Sequence, residues 1–307
     1  MIEVHNLSKR YGEKLAVDDV SFTVQPGIVT GFLGPNGAGK STTMRMIAGL
    51  DRPTSGEVIV NGHDYRSSKA PMAELGVLLE AKAVHTGRSA RNHLLALAYT
   101  NGVSADRVDD VIDMVGLHDV AAKRAGGFSL GMGQRLGVAS ALLGRPRTVV
   151  LDEPANGLDP EGVMWMREML KDLAAQGHTV FVSSHLMSEM AQTATRLVVI
   201  GRGRLIADTT VAGFVALAGG HTVIVRTSEP DRLSALLAGP DITLTPEGPD
   251  ALIVDGLTTH QIGTAAGAAG IPLFELANQH TSLEEAFMEM THDAVEYHAT
   301  ADVAVAS

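Results

Sequence analysis

Gly34-Pro35-Asn36-Gly37-Ala38-Gly39-Lys40-Ser41 is the stretch on which the reading of this chain turns. It has the form G-x-x-x-x-G-K-[ST], a pattern that carries weight only between a strand and a helix. Both flanks fit. Ile28–Leu33 is an apolar run that starts after the turn signal Pro26-Gly27, and Lys40 to about Ala48 reads as a helix. Glycines let the backbone fold tightly enough for successive N–H groups to point at one anion. The helix N-terminus behind them adds a favourable dipole. Lys40 is then placed to reach the β- and γ-phosphates of a nucleotide, and Ser41 to offer its hydroxyl to Mg²⁺. The expected phosphate contacts are Gly34, Pro35, Asn36, Gly37, Ala38, Gly39, Lys40, Ser41 and Thr42.

A second pattern answers the first. Val149-Val150-Leu151-Asp152-Glu153 is an apolar strand that ends in two acids. Ligands of open α/β sheets bind outside the carboxyl ends of the strands. Asp152 is therefore placed to hold Mg²⁺ through a water, and Glu153 to orient or deprotonate an attacking water.

Working outward, the chain reads as strands alternating with helices, hence an α/β sheet. Ile2–Val4, Ala16–Val24, Glu57–Val60, Thr148–Leu151, Thr179–Ser183 and Leu197–Ile200 read as strands. Thr148–Leu151 is wholly apolar apart from its first residue, as in a parallel strand covered on both faces. From about 86 to 145 the pattern turns helical. Val108, Val111, Ile112 and Val115 recur on one helix face. Helices are expected near Val163–Ala175 and Ser188–Thr193. The last 87 residues read in the order βαββαβ: Thr222–Arg226, Asp231–Leu237, Ile242–Thr245, Ala251–Val254, Thr258–Ala269 and Pro272–Leu276. A final helix opens at Ser282, with Glu285 completing a capping box. From about 294 the end reads as frayed.

Composition sharpens the division. The net charge is −11, yet residues 221–307 carry thirteen Asp/Glu against only Arg226 and Arg232, so they hold the whole imbalance. Residues 1–220 are neutral. This asymmetry suggests two domains, 1–220 and an acidic accessory domain at 221–307. It also argues against a nucleic-acid partner, which needs a basic face. The chain has no cysteine, which excludes thiol catalysis, disulfides and Cys-ligated metals. No run approaches the ~18 apolar residues of a membrane span. The N-terminus shows no signal-peptide pattern. The expected location is cytoplasmic.

Phe128-Ser129-Leu130-Gly131-Met132-Gly133-Gln134-Arg135, upstream of the acidic strand, narrows the reading. It resembles the signature of ATP-binding-cassette (ABC) transporter subunits, L-S-G-G-Q followed by x-Q-R. Ser129 and Gly131 match, while Leu130 and Met132 depart. The resemblance covers about residues 1–215. It implies a phosphate-loop cassette with a mixed sheet and an inserted helical subdomain at about 86–145, beside a small C-terminal α+β domain. It implies ATP and Mg²⁺ as cofactors, Ser129 and Gly131 capping the γ-phosphate held by a second copy, and a homodimer. Tyr11 resembles the aromatic that stacks on adenine. Gly157-Leu158-Asp159-Pro160 resembles the loop that couples the two sites, and His185 the switch histidine that senses γ-phosphate. Glu153, His185 and Lys40 are the implied catalytic residues.

One departure lies in Leu75-Gly76-Val77-Leu78-Leu79-Glu80-Ala81, where the family has a glutamine near Mg²⁺. Glu80 brings a carboxylate close to Glu153, to be offset by Mg²⁺ or Lys82. Either it is a further metal ligand beside Ser41 and Asp152, or the coupling role of its loop dominates. The wording around Ser129 and Asp152 looks most like the branch that exports drugs and antibiotics. The chain is thus expected to power a separate membrane permease, held peripherally on the inner face of the membrane. A translation or repair cassette, an import system, a regulatory module with a dead ATPase (against which Glu153 and Lys40 stand) and a GTPase are the alternatives. A GTPase would want an N-K-x-D motif, which is absent.

Overall fold

A computed structural model describes residues 1–80, 84–218, 222–278 and 282–292. Lys82 and the end expected to fray lie outside these residues. The chain divides into two compact units, Met1–Val211 together with the chain from Thr291 onward, and Ala212–Met290.

The first unit starts with an antiparallel pair, β1 (Ile2–Tyr11) and β2 (Lys14–Val24), followed by β3 (Val29–Leu33). Strand β3 is buried throughout, as its apolar run predicts. Then come α1 (Lys40–Ile47), β4 (Ser55–Val60), the short α2 (Pro71–Glu74) and β5 (Leu75–Leu78). The helical insert holds α3 (Ala90–Thr100), α4 (Ala105–Met114) and α5 (Leu130–Leu142). Val108, Val111, Ile112 and Val115 are buried along one face, as their spacing requires. Strand β6 (Thr148–Leu151) and α6 (Pro160–Ala175) return to the core, followed by β7 (Thr179–Ser183), α7 (Met187–Thr193), β8 (Arg196–Gly201) and β9 (Arg204–Thr210).

The strands form a six-stranded sheet in the order β5-β6-β7-β3-β8-β9 and a three-stranded sheet in the order β2-β1-β4. The larger sheet is parallel except for β9, which runs antiparallel to β8. It is a mixed sheet, as expected. The core lies between the two sheets. Ile2, Val4, Val20 and Val24 from the small sheet meet Val150, Val198 and Ile200 from the large one. At its centre Phe22, Phe32 and Phe181 pack with ring centroids 4.9–5.8 Å apart. Strand β3 is central in the large sheet, which fixes the loop that leaves its carboxyl end.

The second unit begins with α8 (Val211–Ala218) and continues as β10 (Val223–Thr227), α9 (Pro230–Leu237), β11 (Thr243–Pro246), β12 (Ala251–Asp255), α10 (Thr259–Ala269), β13 (Leu273–Asn278) and α11 (Leu283–Thr291). The sheet order β11-β12-β10-β13, antiparallel throughout, is the split βαβ arrangement. Its core joins Val223, Val225, Leu252 and Val254 to Leu233, Leu237, Ile262 and Ala266. Thr258 and Gln261 form a capping box ahead of α10. Ser282 and Glu285 exchange the same pair of hydrogen bonds (2.7 and 3.1 Å) at the start of α11.

Candidate functional site

The glycine loop is pinned from three sides. Gly39 precedes α1 with φ 101, a conformation that suits glycine. A Cβ on Gly34 would lie 2.4 Å from the Ile200 carbonyl oxygen, so the loop sits directly on β8. The Gly203 N–H donates to the Ala38 carbonyl (3.0 Å), tying the loop to the β8–β9 turn. The Lys40 ammonium donates to the carbonyls of Gly34 (2.5 Å) and Pro35 (3.3 Å), so it lies across the loop. Burial pushes its pKa below the ordinary lysine value, against the opposing pull of Glu153 and Asp152. A half-buried cation held by carbonyl dipoles beside two carboxylates suits a nucleotide phosphate.

A chain of hydrogen bonds then crosses the carboxyl ends of β3, β6 and β7. The Ser41 hydroxyl donates to Asp152 Oδ2 (2.9 Å). The Ser183 hydroxyl donates to Asp152 Oδ1 (2.5 Å) and accepts from the Glu153 N–H (2.9 Å). The Glu153 carboxylate, in turn, accepts from the His185 N–H (3.2 Å) and faces His185 Nδ1 at 2.5 Å. Residues separated by more than a hundred positions in sequence thus meet in one line.

The cleft over this line has a volume of about 430 Å³. Its walls are Tyr11, Lys14, Ala16, Pro35 to Thr42, Asp152 and Glu153. Tyr11 stands at the rim with its ring half exposed, its hydroxyl donating to Asp51 Oδ2 (2.8 Å) and Lys9 Nζ lying 4.9 Å from the ring centroid. A second cleft of about 570 Å³ shares Ser41 and Asp152 with the first. Glu80, Arg45 and His93 also line it. Glu80 therefore lines the same cleft as the Ser41–Asp152 pair but not the first cleft. Among the described residues no three His, Cys, Asp or Glu side chains converge into a metal cage. The hydroxyl and carboxylate of Ser41 and Asp152 are hard oxygen donors. They suit Mg²⁺, which uses one or two protein ligands and completes its shell with phosphates and water.

Ser129 and Gly131 are not among the residues lining either cleft. Ser129 caps α5, its hydroxyl accepting from the Met132 N–H (3.2 Å). Asp159 caps α6 in the same way by accepting from the Gly162 N–H (2.9 Å). Two residues of the site have no role in the sequence reading: Ser183, which joins Asp152 to Glu153, and Gln134, whose Nε2 donates to the Glu153 carbonyl (2.9 Å). Gln134 stood in the quoted signature, but nothing in sequence spacing tells where its amide points.

A central strand, a glycine loop, a helix and a facing acidic strand with a helical insert define a phosphate-loop ATPase cassette. The family model of the ABC transporter matches residues 17–156. A domain of unknown function, DUF8746, matches residues 221–284. The bacitracin transport ATP-binding protein BcrA of Bacillus licheniformis is 40% identical over 211 residues, 68% of this chain and 69% of that protein. The daunorubicin resistance ATP-binding protein DrrA3 of Streptomyces coeruleorubidus is 32% identical over 303 residues, 95% of this chain and 96% of that protein. A solved ATP-binding subunit of an ABC transporter superposes with a TM-score of 0.65 at 26% identity, covering 71% of this chain and 92% of that one. The chain belongs to the ATP-binding proteins of the ABC transporters.

Proposed function

We propose that this chain hydrolyses ATP to power a separate membrane permease that exports an antibiotic, drug or other amphipathic compound. The observation that carries the chemistry is the line Ser41–Asp152–Ser183–Glu153–His185, laid against the loop that holds Lys40. In this reading the loop N–H groups and Lys40 bind the phosphates, and Tyr11 receives the base at the rim. Ser41 and Asp152, with Glu80 from the adjoining cleft, would hold Mg²⁺, which when bound would draw charge off the phosphates. Glu153 takes a proton from the attacking water, and His185 keeps its carboxylate aimed at the γ-phosphate.

Ser129 and Gly131 lie away from their own chain's cleft, which supports a homodimer in which they cap the nucleotide of the second copy. Among the described residues no helix is long and apolar enough to cross a membrane, which supports a separate permease. The chain would then sit peripherally on the inner face of the membrane. We read residues 1–220 as the cassette and 221–307 as an acidic accessory domain. The names of BcrA, a bacitracin transport protein, and DrrA3, a daunorubicin resistance protein, support the export branch.

Glu153→Gln tests the reading. It keeps the side-chain shape and both backbone contacts of Glu153, but removes the base. Turnover should fall roughly 10²–10⁴-fold, the usual worth of a general base, while ATP binding persists and an ATP-bound dimer accumulates on gel filtration. Turnover at the parent rate would refute the assignment.

A further inference from the structure

Glu153 holds its backbone in the left-handed region, with φ 51. A side chain there persists only where its surroundings over-determine it. Two groups do so. Ser183 Oγ takes the N–H of Glu153, and Gln134 Nε2 donates to its carbonyl at 2.9 Å. The partner is a carbonyl, so the amide nitrogen of Gln134 must face it. Gln134 is 4% exposed, and its Oε1 is buried with no hydrogen-bond partner among the described residues. A buried amide that leaves its acceptor unpaired is costly. An apolar residue would fill the same space without that cost, so packing alone does not account for it.

We infer that Gln134 is a positioning residue for Glu153. It fixes the peptide of Glu153 in the turned conformation that aims the carboxylate toward His185 and the phosphate loop. Gln134 lies on α5, the helix capped by Ser129. The same contact therefore joins the helix that carries the signature loop to the base of its own chain. A rotation of α5 moves the donor and loosens Glu153, whereas a seated α5 holds it. The inference rests on the reading of Glu153 as the base.

Gln134→Met removes the donor and keeps the length of the side chain. Gln134→Asn keeps an amide but withdraws it by one carbon. In the full chain, each should lower kcat for Mg-ATP hydrolysis about 10- to 100-fold, the order of loss when a reacting group is misplaced by about 1 Å. The KM for ATP and the binding of a fluorescent ATP analogue should stay within about threefold, since Gln134 lines neither cleft. A purely structural residue would lower the melting temperature and leave kcat per folded molecule unchanged. An unchanged kcat in a variant that binds the analogue overturns the inference. A parallel loss of kcat and binding overturns it too. Glu153→Gln assayed beside them separates the two failures. If that variant turns over normally, the base assignment is wrong. If it is inactive while both Gln134 variants match the parent, only the positioning role is lost.

Discussion

Gly39→Ala should cost the folded, ATP-bound state about 2–6 kcal/mol. Two effects add. At φ 101 an alanine sits in sparsely populated backbone space, worth about 1–3 kcal/mol. Its Cβ would also lie 2.5 Å from the Ala16 carbonyl oxygen and 3.3 Å from Val17 Cγ2. The first of these is backbone on β2 and cannot swing aside, so relief demands a shift of the kind that costs about 1–3 kcal/mol in a packed site. The loss can surface in two places. If the loop stays, the free protein is destabilised. If the loop moves, its N–H groups no longer converge and ATP binding weakens. The sum of the two is fixed, and corresponds to roughly 30- to 20,000-fold in an equilibrium constant. The assay is urea unfolding without nucleotide, together with a titration of Mg-ATP affinity. Gly27→Ala is the internal control. Its φ is 83, but nothing lies within 4 Å of the added carbon, so only backbone strain is present. If Gly39→Ala loses no more in total than Gly27→Ala, the close approach of β2 to the phosphate loop has no energetic meaning and the reasoning fails.

Glu80→Gln should raise the Mg²⁺ concentration needed for half-maximal hydrolysis by about tenfold or more, in line with losses on removing groups around a metal. An unchanged Mg²⁺ titration would remove Glu80 from the metal site and leave the coupling role of its loop. His93 predicts a pH effect. Burial, then Arg88 and His85, pull its pKa below the ordinary 6.5. The unfolded chain therefore takes up this proton first as pH falls. Stability is full above about 6.5, declines as pH drops toward the lowered folded value, and levels off below it. His93→Leu should remove that part of the acid slope in urea unfolding, and a slope identical to the parent's would show that His93 does not titrate this way.

Much of the fold was legible because its signals are local. The β6 and β7 strands fall where their apolar runs begin and end, and the βαββαβ order of the acidic region follows from short alternating segments. The β9 strand was missed, since all of Arg204–Thr210 but Ala207 is exposed or half-exposed, without a clear alternation, and the strand is held by pairing with β8. The β1 strand runs on to Tyr11, well past the readable Ile2–Val4. Its second half is held by β2 through irregular register shifts rather than by its own apolar pattern. In the site, the phosphate loop and the Asp152-Glu153 pair were readable from motif and context. Ser183 was not, because a serine closing an apolar strand carries no mark of the hydroxyl's partners. The left-handed turn at Glu153 was equally silent, since glutamate has no preference for it.

The signature loop shows how a departure in sequence is absorbed by a distant residue. Leu130 stands where the family has glycine, and its side chain remains about half exposed. Its other side lies against Gly157, where an added Cβ would come 2.2 Å from Leu130 Cδ2. Gly157 also has φ 75, so both its backbone and the leucine above it demand glycine. The Gly131 position meets the same loop, its missing Cβ falling 3.1 Å from the Gly157 carbonyl. The larger residue at 130 therefore does not push the loops apart. It fills the space that glycine leaves at 157 and packs the signature loop on the turn leading into α6. The Ser129 cap on α5 is made with the leucine in place, so the hydroxyl read as facing the second copy's phosphate keeps its place at the helix start.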